Sequence, residues 1–430
     1  MTNENVFSLR PPTELAGFLR LGRTGFRRLA DLHAGGRLPF RRLVVDAAYF
    51  VEQLDFIRDL QIDGCEIVLD PNFAELATPG RHNASSLQKL PWALPGRPWT
   101  VDEFARPTNF DVTKAIAEFA VAADVSAVLA PTHLWEPEDS SWRSIDLRLC
   151  EALRHELDRA GGADIAVDFQ WITTANGLKD AAARKQLAVD LVSLPVENLW
   201  VRAAGFGASA TGAATRSYVR SVGALHETGK PIVSDMTGGL AGLATLALGA
   251  SAAISHGIGM RENFNLSSWK SARKASGPVT TRIYVAELDR YFTEKQLREV
   301  FSLRGGKSRL CCVDRTCCPQ GPDDMIENHD AHFLMRRHQQ IADLSAVPDS
   351  RRGDHFLSQL VEPAVQTARL LDRLEKSDPK LGEAILKAKG RLVRLRDAIA
   401  HQLVEAPLTT HSRAPRFRGG NGKVGAVLRQ

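Results

Sequence analysis

A parallel (β/α)8 barrel of the TIM type is the α/β fold this sequence predicts, and three observations predict it. Short apolar runs alternate with amphipathic helical segments from about residue 43 to residue 257. The runs are near-continuous in Val, Ile, Leu and Ala, as expected for strands covered on both faces. Polar residues recur at their C-terminal ends, the face on which barrel active sites are built. A doubly wound sheet would alternate in the same way. No G-x-G-x-x-G follows the first run, which argues against the dinucleotide-binding version.

In chain order the strand-like runs are Leu43–Asp46, Gly64–Asp70, Val125–Leu129 (followed by Pro131-Thr132-His133), Ile165–Gln170, Leu199–Val201, Pro231–Asp235 and Ala252–Gly257. An eighth comes from Arg282–Ala286 or from an earlier segment. Helices are predicted at 48–60, 111–122, 143–160, 178–194, 214–227 and 239–248. Residues 12–34 read as one or two short basic helices, and 80–110, rich in Pro, Trp and Arg, as an irregular excursion over one face. Apolar spacing of three and four at 329–345 and 355–403 predicts a C-terminal helical lobe. The expected division is a basic helical extension at 1–42, the barrel at 43–300, an inserted metal-binding segment at 301–360, a helical region at 361–412 and a basic flexible tail at 413–430.

With 430 residues, 44% hydrophobic and 24% charged, the chain can bury a full core and has an ordinary globular composition. No apolar run approaches the roughly 18 residues of a membrane span, so no membrane partner is expected. The N-terminus lacks the basic-then-apolar pattern of an export signal, so a cytoplasmic chain is expected. The net charge of +5 is unevenly spread: residues 1–43 carry eight Arg against three acids, and 413–430 carry four Arg and one Lys with no acid. Phosphate contact and plain solubility both account for such ends.

Four of the six cysteines crowd into Cys311-Cys312-Val313-Asp314-Arg315-Thr316-Cys317-Cys318. Paired thiols around a short turn, with a downstream histidine from among His329, His332, His338 and His355, suit a structural Zn2+ site. The competing reading is a disulfide cluster or buried adjacent thiols, and disulfides need an oxidising compartment.

Asp46 ends the first of these runs and is the leading acid/base candidate, against a plain capping role at a strand–helix turn. Asp168 and Gln170 alternate on one side of their strand, so both are expected to face inward, in what is otherwise simply a polar layer of the barrel. Ser255-His256 invites a nucleophile–base reading, but neighbours on a strand point to opposite faces. Gly205, Gly207, Gly238 and Gly239 either admit a base or phosphate to backbone N–H groups or only make tight turns.

The order of these features resembles the tRNA-guanine transglycosylases, zinc-bearing barrels that exchange guanine for a 7-deazaguanine. Val44-Val45-Asp46-Ala47-Ala48-Tyr49-Phe50 is similar to that family's Asp-Ser-Gly-Gly-Phe-Gln stretch, and Asp63-Gly64-Cys65-Glu66-Ile67 with Leu76-Ala77-Thr78-Pro79 to its Asp-Gly-Val-x-Phe … Leu-Thr-Pro. Val167-Asp168-Phe169-Gln170 falls at its Gly-Ile-Val-Gln, Ala204-Gly205-Phe206-Gly207 at its Gly-Gly-Leu, and the cysteine cluster at its Cys-x-Cys-x-x-Cys. His355-Phe356 comes where its zinc histidine stands, so the resemblance implies a site of Cys311, Cys312, Cys317, Cys318 and His355. It covers about residues 43 to 370.

The family's nucleophilic aspartate would fall at Ile254 or Ser255, which are not carboxylates, and its second base-reading aspartate near Ala130-Pro131-Thr132. Asp235 is the nearest carboxylate to replace the nucleophile, with Ser255 and His256 as alternatives. The resemblance therefore implies a divergent transglycosylase that inserts a 7-deazaguanine into tRNA or DNA by covalent base displacement, as a homodimer or with a partner subunit. Its rivals are a non-catalytic barrel that binds nucleic acid or supports a catalytic partner, and an unrelated barrel hydrolase with a zinc knuckle.

Overall fold

The computed structural model describes residues 12–23, 25–105, 111–136, 141–259, 261–271, 280–408 and 410–416. The tail expected to be flexible falls largely at 417–430, outside the described residues.

Nine parallel strands build the central sheet: β1 Ala16–Leu21, β2 Arg42–Asp46, β3 Glu66–Asp70, β4 Ala127–Leu129, β5 Leu134–Trp135, β6 Ala166–Thr174, β7 Leu199–Ala204, β8 Ile232–Asp235 and β9 Ala253–His256. Pairing of β1 with both β2 and β9, and of β4 with β6, closes eight of them into a barrel. The two-residue β5 pairs with the same edge of β6 as β4 does, four residues further along. From Leu129 to Leu134 the chain takes five steps while its partner takes four, from Asp168 to Ile172, so β4 and β5 are one strand interrupted by an extra residue. Ala130-Pro131-Thr132-His133 occupies the break.

The missing eighth strand is the early one. Ala16–Leu21, expected to be helical, pairs with β2 and β9, and the helix of that region is confined to Phe26–Ala34. The 1–42 extension is therefore not separate from the barrel. Residues 283–285 form instead an antiparallel hairpin with 290–292, outside the barrel.

Strand side chains alternate faces, and the inward set is Ala16, Phe18, Val44, Val68, Ala127, Leu129, Ala166, Trp200, Val233 and Ala253, one buried cluster. One alternation further along the strands, the same inward face carries Arg20, Asp46, Asp70, Gln170, Arg202 and Asp235. The floor of the mouth is polar because the strands continue their period of two past the apolar layers.

Helix His329–Ser345 covers the β1–β9 side, with Phe333 against His256 and Ser345 accepting from Leu15 N. Helices Glu362–Asp372 and Pro379–Glu405 pair with each other, and the second lies on helix Gly212–Gly223, so the expected C-terminal helical lobe is present. A Cβ on Gly212 would sit 2.1 Å from Arg394 O, which is why glycine starts that helix. The segment 410–416 then crosses the opposite end of the barrel: Ser412 Oγ accepts from Ile232 N, and Asn198 exchanges two hydrogen bonds with the Arg416 backbone. Among the described residues no helix is long and apolar enough to cross a membrane.

Candidate functional site

The barrel mouth is organised by two arginines that point inward from β1 and β7. Arg20 Nε and Nη2 donate to the two oxygens of Asp235 at 2.9 and 3.0 Å, and Arg202 Nε reaches Asp235 Oδ2 at 2.7 Å. Arg20 Nη1 and Arg202 Nη2 both reach Asp70 Oδ2, at 2.9 and 3.2 Å. Gln170 Nε2 adds a bond to Asp235 Oδ2 at 2.9 Å, and Met236 N one to Oδ1. All five side chains are buried. Although burial opposes it, the two guanidinium groups hold the Asp235 carboxyl far below the usual carboxylate range; Asp70 is lowered in the same way.

This geometry corrects the nucleophile expected at Asp235. A carboxylate that accepts five hydrogen bonds and is held strongly acidic has no free lone pair to attack a sugar carbon. Asp235 is the anchor of the arginine pair. Replacing it by Asn should leave two buried guanidinium groups with Asp70 alone, at a cost of about 3–5 kcal/mol in urea unfolding; a loss under about 1 kcal/mol would contradict this arrangement.

Asp46 differs from its neighbours. Its side chain is 26% exposed and meets one guanidinium, Arg20 Nη1, at 3.6 Å. Loss of solvation and then the charge of Asp70 push its carboxyl up to about 7, against the pull of Arg20. That places it where a general acid/base works at neutral pH.

The remaining candidates lie elsewhere. Ser255 pairs with Phe18 and faces the closed interior with its hydroxyl buried and unpartnered. His256 points the other way, between Phe40 and Phe333, and burial followed by the nearby Arg337 lowers it to about 3. The two are back to back, as alternation requires, and neither reaches the mouth. Asp168 faces inward too, but near the opposite end: it accepts from Trp200 Nε1 at 2.7 Å and from Asn198 N and Nδ2 at 3.1 and 2.8 Å. Burial raises it to about 7 despite those bonds, and its role is to tie the barrel interior to the 410–416 segment through Asn198. Gly205 takes φ 88°, open only to glycine without strain. At Gly207 a Cβ would lie 2.2 Å from Asn263 Oδ1, so chain against chain, not a base, fills that turn.

Arg20 and Arg202 were absent from the sequence-based candidates. So was His133, set in the β4–β5 break, whose Nδ1 meets Asp146 Oδ1 at 2.5 Å. Next to the mouth a cavity of about 260 Å³ is lined by Thr78, His133, Glu136, Trp142, Trp269 and Lys270 among others. Trp269 packs on Phe264, and Phe264 lies under Arg202, so cavity and charged floor adjoin. A larger cleft of about 570 Å³, between helix 329–345 and residues 355–367, is lined by Arg336, Gln340 and His355 and lies outside the barrel.

The cysteine segment does converge, on a different set from the one expected. Asp314 Oδ1 accepts from Thr316 N and Cys317 N, closing the turn that returns Cys317 and Cys318 to Cys312. Helix 329–345 brings His332, and these four ligand atoms all lie within 4.8 Å of one another, buried. Cys317 Sγ is 3.7 Å from Cys318 Sγ and 3.5 Å from His332 Nδ1, and Cys318 Sγ is 3.4 Å from that nitrogen. Those spacings match the edges, about 3.5–3.8 Å, of a tetrahedron with metal–sulfur bonds of ~2.3 Å and metal–nitrogen bonds of ~2.0 Å. Cys311 and His355 are corrected: Cys311 Sγ turns to the Cys312 carbonyl, and His355 lines the outer cleft. The cluster can hold a metal.

Fold and site together define a TIM barrel with an ionisable, cavity-flanked mouth and a buried Cys3His cluster beside it. No protein-family model matches the chain, and no curated protein does. Similar solved structures include native xylanase 10B from Thermotoga maritima (12% identity, 56% of this chain and 82% of that one, TM-score 0.35). A GH10 xylanase from Bispora sp. (7%, 56% and 83%, 0.36) and 3-dehydroquinate dehydratase from Enterococcus faecalis (11%, 58% and 91%, 0.34) are others. Likeness at this level carries nothing about substrate or reaction.

Proposed function

We propose that the chain is a divergent transglycosylase-like enzyme that exchanges a purine-type base, a 7-deazaguanine for guanine, at a glycosidic bond in tRNA or DNA. The observation that carries this reading is Asp46: a partly exposed carboxyl at the mouth, raised to about 7, in a mouth whose Arg202 adjoins, through Phe264 and Trp269, a cavity of about 260 Å³. In the exchange Asp46 gives its proton to the departing base as the bond from the sugar C1′ breaks. It then takes the ring N–H proton of the incoming base as the new bond to C1′ forms, so the proton count closes over one turnover. Asp235, Ser255 and His256 are all withheld from C1′, so the reading departs from covalent displacement: the departing base leaves with the bonding electron pair and the Asp46 proton, and the oxocarbenium carbon at C1′ is captured on the same face by a nitrogen lone pair of the incoming base.

The Cys312–Cys317–Cys318–His332 cluster takes part as a structural zinc site, since thiolate and imidazole ligands in a closed tetrahedron suit that ion. One specific observation favours a non-catalytic, nucleic-acid-binding barrel instead: Asp70 and Asp235 spend their charge on Arg20 and Arg202, leaving a neutralised floor. Incubation with radiolabelled guanine or 7-deazaguanine and either tRNA or DNA separates the two. Label is expected in one of the nucleic acids. Nucleic-acid binding without any incorporation would transfer the chain to the binding reading.

A further inference from the structure

The cleft outside the barrel has no part in the base-exchange reading. Its volume of about 570 Å³ falls within the range, about 300–1,000 Å³, of small-molecule sites. One wall is helix His329–Ser345, on which Arg336, Gln340 and Asp343 stand four and three residues apart and so share a face. The other wall is the turn 356–361 and the helix that follows it. That turn is of the wide π type, which is rare and occurs frequently at functional sites. Pro363 accounts for it, because a residue without an N–H cannot close an ordinary helical turn onto the Gln359 carbonyl.

Two donors face the cleft without partners. Gln340 is buried, 8% exposed, and its Oε1 accepts from Arg337 Nη1 at 2.8 Å. Glu262 fixes Arg337 in turn at 2.9 Å, so the amide cannot turn over and its Nε2 is directed away from Arg337. Among the described residues that Nε2 has no hydrogen-bond partner, yet it is not closed off from solvent. Arg336, one helical turn earlier, meets Glu287 Oε1 at 3.6 Å, longer than a hydrogen bond. Both side chains are open to the cleft, 25% and 28% exposed. Burial pushes the Glu287 carboxyl up, and Arg336 offsets this only in part. Asp343, the other acid of the cleft, already accepts from Gln339 Nε2 at 2.7 Å. Leu240, Val347, Leu360 and Pro363 add apolar lining.

Donors at Arg336 and Gln340 suit a carboxylate, and the acceptor at Glu287 suits an ammonium group beside it. A phosphate or a dicarboxylate would set a second negative charge against Glu287. We infer that the cleft binds a free α-amino acid with an apolar side chain. Its carboxylate takes the donors of Arg336 and Gln340, its ammonium group pairs with Glu287, and its side chain lies on the apolar lining. The long Arg336–Glu287 pair is the gap that the ligand's two charges fill.

Calorimetric titration of the full chain with L-leucine and L-phenylalanine tests this. L-Leucinamide, which lacks the carboxylate, and N-acetyl-L-leucine, which lacks the ammonium group, are the controls. Both free amino acids should bind the wild type, and each leucine derivative should bind at least about tenfold more weakly than leucine, about 1.4 kcal/mol. Arg336→Met combined with Glu287→Gln keeps the side-chain lengths and removes both charges, so leucine and its derivatives should bind it equally weakly. Gln340→Glu keeps an acceptor for Arg337 but removes the free N–H donor, and it should weaken leucine at least tenfold even where the double variant melts early. Failure of both amino acids to bind the wild type, or derivatives that bind as well as leucine, overturns the inference. So does unchanged leucine affinity in well-folded Gln340→Glu. Each of these results leaves the base-exchange reading untouched, because no residue of the cleft belongs to the barrel mouth.

Discussion

Replacing Cys317 by Ser is expected to empty the metal site and to loosen the segment between the hairpin and helix 329–345. Metal analysis of the wild type should give about one zinc per chain, and of Cys317→Ser close to none. Cys317 is 1% exposed and contacts both Cys318 and His332, so a hydroxyl there is a poor ligand with no solvent to replace the lost bond. Binding to such a site is folding free energy, about 10–16 kcal/mol in isolated zinc-finger peptides. In this chain the loss should be smaller, because Leu310, Met325 and Ile326 around the cluster are also buried. A drop of several degrees in melting temperature, confined to a first transition, is the expected form, since a chain with separable parts need not unfold in one step. The controls separate two ligand sets. His332→Ala should lose the metal, whereas Cys311→Ser and His355→Ala should keep it. Metal retained in His332→Ala and lost in His355→Ala would overturn the geometry, and no metal in freshly purified wild type would remove the site altogether.

The choice between those histidines shows what the sequence could carry. His332 stood among the candidates, fourteen residues after Cys318, but collinear resemblance pointed to His355. Only the turn closed by Asp314 and the placement of helix 329–345 decide which imidazole arrives. The barrel itself was legible from the alternation of buried runs and helices, because a doubly covered parallel sheet needs continuous apolar strands. Asp46 at a strand end was legible for the same reason. β1 was not: its six residues include Gly17 and Arg20 and sit in a basic stretch, so they read as helix. Arg20 is tolerated inside a barrel only because Asp70 and Asp235 arrive from β3 and β8, 50 and 215 residues away. A long-range charge balance leaves no local signature. The same limit hid His133, whose meaning depends on an extra residue in one strand and on an aspartate from the following helix.

Asp46→Asn is expected to slow exchange by orders of magnitude while making the fold more stable at neutral pH. In the folded chain this carboxyl titrates near 7, raised by burial and then by Asp70, against an unfolded value near 4. Below about pH 4 both states are protonated and the residue adds no pH dependence. Between about 4 and 7 the folded state retains a proton that the unfolded chain has released. Stability must therefore fall as pH rises through that window, by at most about 1.4 kcal/mol per pH unit for this one group. Above 7 the full cost is present and constant. Asn carries no such proton, so the variant should lack this slope: close to the wild type at pH 4 and more stable than it at pH 8. Asp168, which also titrates near 7, remains in both proteins and cancels in the difference. Activity should move the other way, with exchange falling by about 10²–10⁴-fold, the range that a positioned acid/base contributes, while nucleic-acid binding persists. Denaturant unfolding of both proteins at several pH values, alongside the labelled-base assay, measures the two effects on one preparation. A stability difference that stays flat from pH 5 to 8 would mean that Asp46 is not the poised carboxyl. Exchange that survives the substitution would mean that the proton travels through another group at the mouth.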